Sequence, residues 1–240
     1  MSMYPQNGLN TLDYGYAETS EQSRVLSRFF QNVYLWFGIG LVWTALISFV
    51  FATTPSLQVF MTRGMMIFMM LAAFGLSIAT QAVALRINVV AGLAMFMLYA
   101  TVIGIFIAPI WVIYPQSTIG TAFALTGGVF FVMSVVGMIT KMNLAKLHSI
   151  LIMGALGLFV ASLVNLFTAS SALSWAVTYG VVIIFTGLIA TQTQKLKEFA
   201  LASGTDSVMA GRVAVVGALV LYIAFINLFL AILRILGDRK

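Results

Sequence analysis

The sequence predicts an all-α integral membrane protein with about seven transmembrane helices. Hydrophobic residues make up 62% of the 240 residues and charged residues only 8%, whereas an average soluble domain has about 25% charged residues. The apolar residues form long blocks separated by short polar breaks, as expected for helices that cross a hydrocarbon core roughly 30 Å thick. The blocks show no alternation of period two, which argues against a transmembrane β-barrel.

A polar N-terminal segment precedes seven apolar blocks. We expect residues 1–30 to be a flexible segment and residues 31–240 to form the seven-helix transmembrane domain. Only Arg86-Ile87-Asn88 separates the second and third blocks, and we interpret them as a tight helical hairpin because one helix of that length would far exceed the bilayer. The turn-forming residues Ala202–Asp206 precede the last block. The blocks are Val33–Phe51, Met65–Leu85, Val89–Ile107, Thr118–Ile139, Ser149–Phe167, Leu173–Thr191 and Ala210–Ile235.

The distribution of Lys and Arg predicts the orientation in the membrane. With seven spans, one side holds Arg24, Arg28, Arg86, Lys141, Lys146, Lys195 and Lys197, with Arg212 at its edge, and the other side holds Arg63, Arg234, Arg239 and Lys240. This bias predicts a cytoplasmic N-terminus and a C-terminus on the opposite side. The alternative is six spans with both ends inside, in which one block would be re-entrant.

Composition also restricts the class of function. The net charge is +6, but the basic residues are scattered at the ends of apolar blocks, so we interpret them as topology signals and anionic-lipid contacts and expect no nucleic-acid partner. No Cys is present, and no acidic residue occurs between Glu21 and Glu198. The only histidine, His148, follows Lys146, and we expect both in a short basic loop. We therefore predict no catalytic residue, no cofactor and no metal site, and no enzymatic activity.

Polar side chains inside the last two blocks are few. Gln192 closes the sixth block, and Asn227 lies in the seventh, three residues after Ala224 and on the same helical face. Arg234 nearly shares that stripe. An amide in apolar surroundings is costly unless it is paired, so the stripe should face the bundle interior. We expect an interhelical hydrogen bond at Asn227, with a permeation path as the alternative, and we expect Arg234 to extend towards the membrane interface.

Small residues recur in several blocks. Close backbone approach at such residues is a main source of packing energy in lipid, so we expect helices to meet there. Glycine hinges that open a gate are the alternative. The residues are Gly38, Gly40, Gly127, Gly128, Gly154, Gly157 and Ala161.

The segment Gly217–Gly237 contains the run Tyr222-Ile223-Ala224-Phe225-Ile226-Asn227-Leu228-Phe229. This segment resembles the last helix of the transmembrane Bax inhibitor motif family in its bacterial branch, and it is the strongest match to that family. Ala190–Lys197, Ala172–Gly180 and Thr140-Lys141 match further family segments, and the similarity extends from the first span to Arg239. The resemblance implies a bacterial cytoplasmic (inner) membrane protein in which six helices surround a central C-terminal helix. It also implies a cation leak, mainly for Ca²⁺, that responds to pH.

The sequence departs from the family at its acidic positions. Where the family has two Asp residues on the sixth and seventh spans, this chain has Gln192 and Ala224, and a third acidic position is Asn143. Two carboxylates that share a site resist simultaneous ionisation and can work as a proton-controlled latch, but glutamine and alanine cannot ionise. We expect the family's fold without its pH latch.

Two functional hypotheses remain open. The first is a cation leak channel or a divergent relative of one, with Gln192, Ala224, Asn227 and Arg86 as candidate pore or gating residues. Arg86 is included because family members have basic residues after the second span that pair with the acidic latch, and its alternative is a plain topology anchor. The second hypothesis is a non-transporting interaction protein that regulates a membrane protease or another complex. The expected partners are the lipid bilayer, Ca²⁺ or other cations, and such a protease complex.

Overall fold

The computed structural model describes the backbone of residues 7–58, 62–86, 88–203 and 207–237, and the side chains from Ser23 onward in most of these ranges. Within these ranges the chain is helical and contains no β-strand. The helices are α1 (Asn7–Thr53), α2 (Pro55–Gln58), α3 (Arg63–Arg86), α4 (Val89–Ile107), α5 (Ile110–Ile113), α6 (Gln116–Ile139), α7 (Ala145–Thr168), α8 (Ser171–Ser203) and α9 (Ser207–Gly237).

Seven of these helical segments are long and apolar enough to span a membrane, which confirms the predicted all-α integral membrane protein. They are Ser23–Thr53, Gly64–Val83, Val89–Ile113, Gln116–Ile139, Ala145–Thr168, Ser171–Ala202 and Val208–Gly237. The predicted hairpin of the second and third spans is present as α3 and α4. Asn88 caps α4, because its side-chain oxygen accepts a hydrogen bond from the backbone N–H of Ala91 at 2.7 Å.

Three helices extend beyond the predicted apolar blocks. Helix α1 begins at Asn7 and continues without a break into the first span, so the polar segment predicted at residues 1–30 shares one helix with that span from Asn7 onward; its flexibility stays a prediction. Helix α7 begins at Ala145, and α8 continues to Ser203 through the polar run after Thr191. The rest of the predicted break before the last span, residues 204–206, lies outside the described residues.

Burial is greatest on the last helix. In the most apolar stretch of each span, 67% of the residues of α9 are buried but none of those of α7. Helix α9 packs against α1, α3, α4, α6 and α8, whereas α7 packs mainly against α8. Five other spans therefore meet on α9, and the arrangement of six helices around it stays a prediction.

Aromatic side chains fill the contact between α9 and its neighbours. Phe37 of α1 stacks on Phe130 of α6 with ring centroids 4.7 Å apart, and both rings meet the edge of Phe225 of α9. One helical turn away, the hydroxyl groups of Tyr222 and Thr44 form a hydrogen bond of 2.5 Å between α9 and α1. These contacts hold α9 against α1 and α6.

A tight turn joins α7 to α8. Ala169 has a φ of 49°, in the left-handed region, and its N–H donates to the carbonyl of Asn165. The Asn165 side chain donates to the hydroxyl of Ser174 at 2.7 Å and accepts from the N–H of Ser170 at 3.0 Å. One amide therefore ties the end of α7 to the first turn of α8.

Close helix contact occurs at only some of the predicted glycines. A side chain on Gly40 would overlap the ring of Phe96, and one on Gly154 would overlap Ile184, which confirms close packing at those two positions. The closest approach to a neighbouring backbone involves Gly137 of α6, which lies against the carbonyl of Ala190 in α8. The prediction was wrong for the glycines whose added Cβ would meet nothing within 4 Å, namely Gly38, Gly127, Gly128 and Gly157.

Candidate functional site

A cavity of about 560 Å³ lies between α3, α4, α7, α8 and α9. Its volume falls within the range of roughly 300 to 1,000 Å³ found for small-molecule pockets. Most of its lining is apolar, and the lining polar side chains with amide or aliphatic hydroxyl groups are Ser77, Gln81, Ser162, Gln192 and Asn227.

Three of the four candidate residues line this one cavity. Gln192 reaches it from α8, and Ala224 and Asn227 reach it from α9, because residues three apart share a helical face. Ala224 is only 2% exposed, which confirms its predicted burial, whereas Asn227 on the same face is half-buried. Arg86 does not line the cavity. It is the last residue of α3, and its side chain is exposed.

The polar groups of the cavity mostly bond within their own helices. Ser77, Gln81, Ser162 and Asn227 each donate to a carbonyl three or four residues earlier, at 2.7 to 3.2 Å. The predicted interhelical hydrogen bond at Asn227 was therefore wrong, because the carbonyl of the preceding turn is the nearer acceptor. The amide of Gln192 has no hydrogen-bond partner among the described residues, so it is free to bind a group inside the cavity.

The only histidine lies on a helix rather than in a loop. The first turn of α7 already includes His148, and this turn directs its ring towards α8, where it is only 8% exposed. Its Nδ1 lies 3.0 Å from the hydroxyl oxygen of Thr191, and that hydroxyl donates to the carbonyl of Leu188 at 3.1 Å. When that hydroxyl donates to Leu188, Nδ1 is the donor to Thr191, because a threonine hydroxyl has one hydrogen. The prediction of a solvated loop histidine was wrong because the polar residues before it are helical.

The polar run of α8 holds the connection between α6 and α7. The side-chain amide of Gln194 donates to the carbonyl of Met142 at 2.7 Å, and its oxygen accepts from the N–H of Leu144 at 2.9 Å. The ammonium group of Lys197 donates to the carbonyl of Met138 at 2.7 Å. We call Gln194 and Lys197, with their three backbone partners, the α8 clamp. The clamp was not predicted from the sequence, although Thr191, Gln194 and Lys197 lie three residues apart and therefore indicate one polar helical face.

Asn143, at the third acidic position of the family pattern, lies in the segment held by the α8 clamp. Its side-chain oxygen accepts from the N–H of Ala145 at 2.9 Å, which satisfies a donor at the start of α7. This bond needs an acceptor oxygen but no charge. The side chain of Asn143 therefore bonds to the first residue of α7, outside the cavity.

Neutral groups supply the polarity of the cavity. Its described lining contains no acidic residue, and the one acidic side chain that the structure describes, Glu198, is exposed on α8. Among the described residues, no group of three or more His, Cys, Asp or Glu residues could hold a metal ion. Amide and hydroxyl oxygens are therefore the ligands that the described lining offers to a cation.

The far end of α9 carries an arginine held over an aromatic ring. The guanidinium carbon of Arg234 lies 5.8 Å from the ring centroid of Trp175 in the first turns of α8, within the distance of a cation–π interaction. Trp175 in turn stacks on Tyr179. This contact joins the end of α9 to the start of α8, away from the α8 clamp.

Fold and cavity together define an all-helical, seven-span membrane protein whose last two spans line a largely apolar internal cavity. The model of the family described as inhibitor of apoptosis-promoting Bax1 matches residues 26–240. The chain therefore belongs to this Bax inhibitor motif family, as the resemblance predicted.

Bacterial relatives match over nearly their whole length. The inner membrane protein YbhL of Escherichia coli K12 is 36% identical over 218 residues, which cover 90% of this chain and 93% of YbhL. An uncharacterised protein of Borreliella burgdorferi is 36% identical over 226 residues, covering 92% of this chain and 97% of the relative. One of Deinococcus radiodurans is 36% identical over 211 residues, covering 88% and 90%.

Proposed function

We propose that this Bax inhibitor-1-like protein is a cation leak channel, or a divergent relative of one, whose path runs through the cavity between α3, α4, α7, α8 and α9. The observation that carries the proposal is the convergence of Gln192, Ala224 and Asn227 on that cavity. Gln192 and Ala224 lie at the positions of the two Asp residues in the family that this chain resembles. The cavity therefore corresponds to the position of that family's pH latch.

The chemistry of the lining supports weak binding of cations. Ca²⁺ prefers six to eight oxygen ligands, and its affinity falls as carboxylates are lost from a site. The amide oxygens of Gln81, Gln192 and Asn227 carry partial negative charge but no net charge. A path of this kind favours passage of a cation over its retention, and for that reason we propose a leak.

Because the polar side chains of the lining are neutral, they cannot form a pH latch. Neither Gln192 nor Ala224 can gain or lose a proton near neutral pH, so the shared-proton mechanism of a carboxylate pair has no counterpart at these positions. The exposed position of Arg86 at the end of α3 favours its reading as a topology anchor. We propose a leak with little response to pH.

We propose the bacterial cytoplasmic (inner) membrane as the location, since the relative YbhL is named as an inner membrane protein. We propose that the N-terminus lies in the cytoplasm, since Lys and Arg concentrate on one side of the spans.

Cysteine labelling tests this topology. The chain has no Cys, so single cysteines can be introduced without background labelling. Cysteines at Lys141 and Lys195 should react only from the cytoplasmic side and a cysteine at Tyr114 only from the opposite side. Labelling of Tyr114 and Lys141 positions from the same side would contradict the seven-span topology.

Ca²⁺ flux into liposomes that contain the purified protein tests the proposed leak. We expect flux above that of protein-free liposomes, changing little between pH 6 and 8 as a neutral lining predicts. Gln192→Leu should reduce the flux because it removes an amide from the lining, whereas Gln116→Leu, at an exposed site outside the cavity, should not. A correctly folded protein that gives no flux above the lipid background would refute the leak.

A second function is favoured by the lack of any carboxylate in the described lining. In that case the protein conducts no ions and instead regulates a membrane protease or another complex. Absence of flux, together with crosslinking of one defined membrane protease to the protein in intact membranes, would support this alternative. Neither function assigns a catalytic role to His148, whose ring is hydrogen-bonded to Thr191.

A further inference from the structure

The cavity reaches the outer surface of the bundle between α3 and α7. Four of its lining residues are also exposed on that surface, two from α3 and two from α7. We call this gap the lateral opening, and its residues are Phe74, Ile78, Ile152 and Leu156. In a membrane protein, apolar side chains exposed in the middle of a span contact hydrocarbon, so the lateral opening is continuous with the lipid-facing surface.

A side-chain contact bridges the lateral opening. The rings of Phe74 in α3 and Phe159 in α7 stack with centroids 4.4 Å apart and planes at 12°. Helix α3 otherwise packs against α4 and α9, and α7 packs against α8. A pair of rings can separate by rotation of side chains, whereas packed backbones cannot, so the lateral opening can admit a slender apolar group without displacing a helix.

The cavity behind the lateral opening suits a hydrocarbon chain. Its lining is mainly aliphatic and aromatic, and four of its polar side chains already bond to their own helices. Methylene groups would gain dispersion contacts along this lining.

Basic residues lie at the headgroup level on the two helices that border the lateral opening. Phe74 lies near the middle of its span, and Phe159 lies near the middle of its own antiparallel span. Arg86 follows Phe74 by twelve residues and Lys146 precedes Phe159 by thirteen, which places both about 18 to 20 Å from the ring pair along their helices. Half of the hydrocarbon core is only about 15 Å thick. Both exposed cations therefore reach the headgroup layer on the same side.

We propose that the cavity binds an acyl chain of an anionic phospholipid, which enters between α3 and α7 while Arg86 and Lys146 bind its phosphate-bearing headgroup. The headgroup assignment follows from charge complementarity, because α3 and α7, the two helices that border the opening, each carry one exposed cation at the headgroup level. The chain assignment follows from the continuity of the cavity with the lipid-facing surface. This site does not depend on ion conduction, so it can be tested without an ion gradient.

Photo-crosslinking tests the proposal directly. The full-length protein is reconstituted with phosphatidylglycerol that carries a diazirine in the middle of one acyl chain, irradiated, and digested for mass spectrometry. We expect crosslinks to cavity-facing residues of α9, such as Val220, Ile223 and Leu230. Crosslinks confined to outward-facing residues such as Val42 and Phe131 would overturn the proposal, since they would show annular lipid only.

Two matched variants distinguish a lipid chain inside the cavity from annular lipid. Ala155→Phe fills the cavity and should reduce crosslinking to α9 about tenfold, whereas Val160→Phe, exposed on the same helix, should leave it unchanged. Equal effects of the two variants would overturn the cavity assignment. The unmodified protein provides the primary result, so the test stands even where a variant fails to fold.

A comparison of phosphatidylcholine with phosphatidylglycerol tests the headgroup assignment. Phosphatidylcholine with the same labelled chain should crosslink to α9 at least threefold less than phosphatidylglycerol. The double variant Arg86→Gln/Lys146→Gln should bring the two lipids to equal yield, while Arg24→Gln/Arg28→Gln, a pair on α1 outside the opening, should not. Equal crosslinking of both lipids to the unmodified protein would overturn the role of Arg86 and Lys146.

Discussion

Replacement of Gly137 by Ala tests the tightest contact between two spans. Gly137 of α6 faces α8 at Ala190, close to the α8 clamp and to Gln192. An added Cβ would press on the carbonyl of Ala190 and would lie 2.9 Å from the Cβ of Thr193. Carbon atoms attract each other best at about 3.5 to 4.0 Å. The two helices would have to separate, because backbone atoms cannot rotate out of the way.

The expected loss of stability follows from two opposing contributions. Forcing an extra methyl group into a packed contact costs about 1 to 3 kcal/mol. Alanine regains at most about 1 kcal/mol of helix propensity over glycine. Subtracting that gain, Gly137→Ala should lower the free energy of unfolding by up to about 2 kcal/mol. Gly128→Ala, on the same helix with nothing within 4 Å of the added Cβ, should be neutral or stabilising.

Unfolding by SDS in mixed micelles, followed by tryptophan fluorescence, measures the difference between the two variants. The midpoint for Gly137→Ala should fall below that of the unmodified protein, and the midpoint for Gly128→Ala should not. Equal midpoints for both variants would refute the reasoning, because they would show that α6 and α8 lie further apart than the structure places them.

Three further predictions concern the site and its surroundings. His148→Ala and Thr191→Val should each lower stability by about 1 kcal/mol in the same assay, the size of one buried hydrogen bond, and the double variant should cost little more than either one. Asn227→Leu should cost no more than about 0.6 kcal/mol, the average for polar contacts between membrane helices, because its amide bonds only to its own helix; a loss of several kcal/mol would point to a missed partner. Gln192→Asp combined with Ala224→Asp should make Ca²⁺ flux respond to pH between about 6 and 8, with a smaller response for either change alone, because only a pair of carboxylates shares a proton. A steep pH response of the unmodified protein that survives His148→Ala would contradict the last prediction.

The sequence was sufficient to predict the spans, since a hydrocarbon core of fixed thickness imposes a length and a composition on each helix. Val89–Ile107 agrees with α4 to the residue. Hydropathy fails where a helix continues past the hydrocarbon, because a polar residue lowers the hydropathy without breaking the helix. The extension of α8 to Ser203 and the start of α7 at Ala145 were missed for this reason.

The cavity could be predicted only in part. The spacing of Ala224 and Asn227 gives their common face, and the family pattern adds Gln192, so the three residues could be grouped before the structure. The bonding of His148 to Thr191 could not be predicted, because these residues are 43 positions apart and the bond depends on how α7 and α8 pack against each other. The lateral opening could not be predicted either. It forms because α7 packs against α8 and leaves a gap between itself and α3.

The amide of Asn165 and the ring of His148 fasten α7 to α8 near both of its ends. These contacts set the distance between α7 and α8 at both ends of α7. Widening of the lateral opening would change distances between spin labels on α3 and α7 while leaving those between α7 and α8 constant. The α8 clamp ties one end of this pair to α6, and the contact of Arg234 with Trp175 ties the other end to α9.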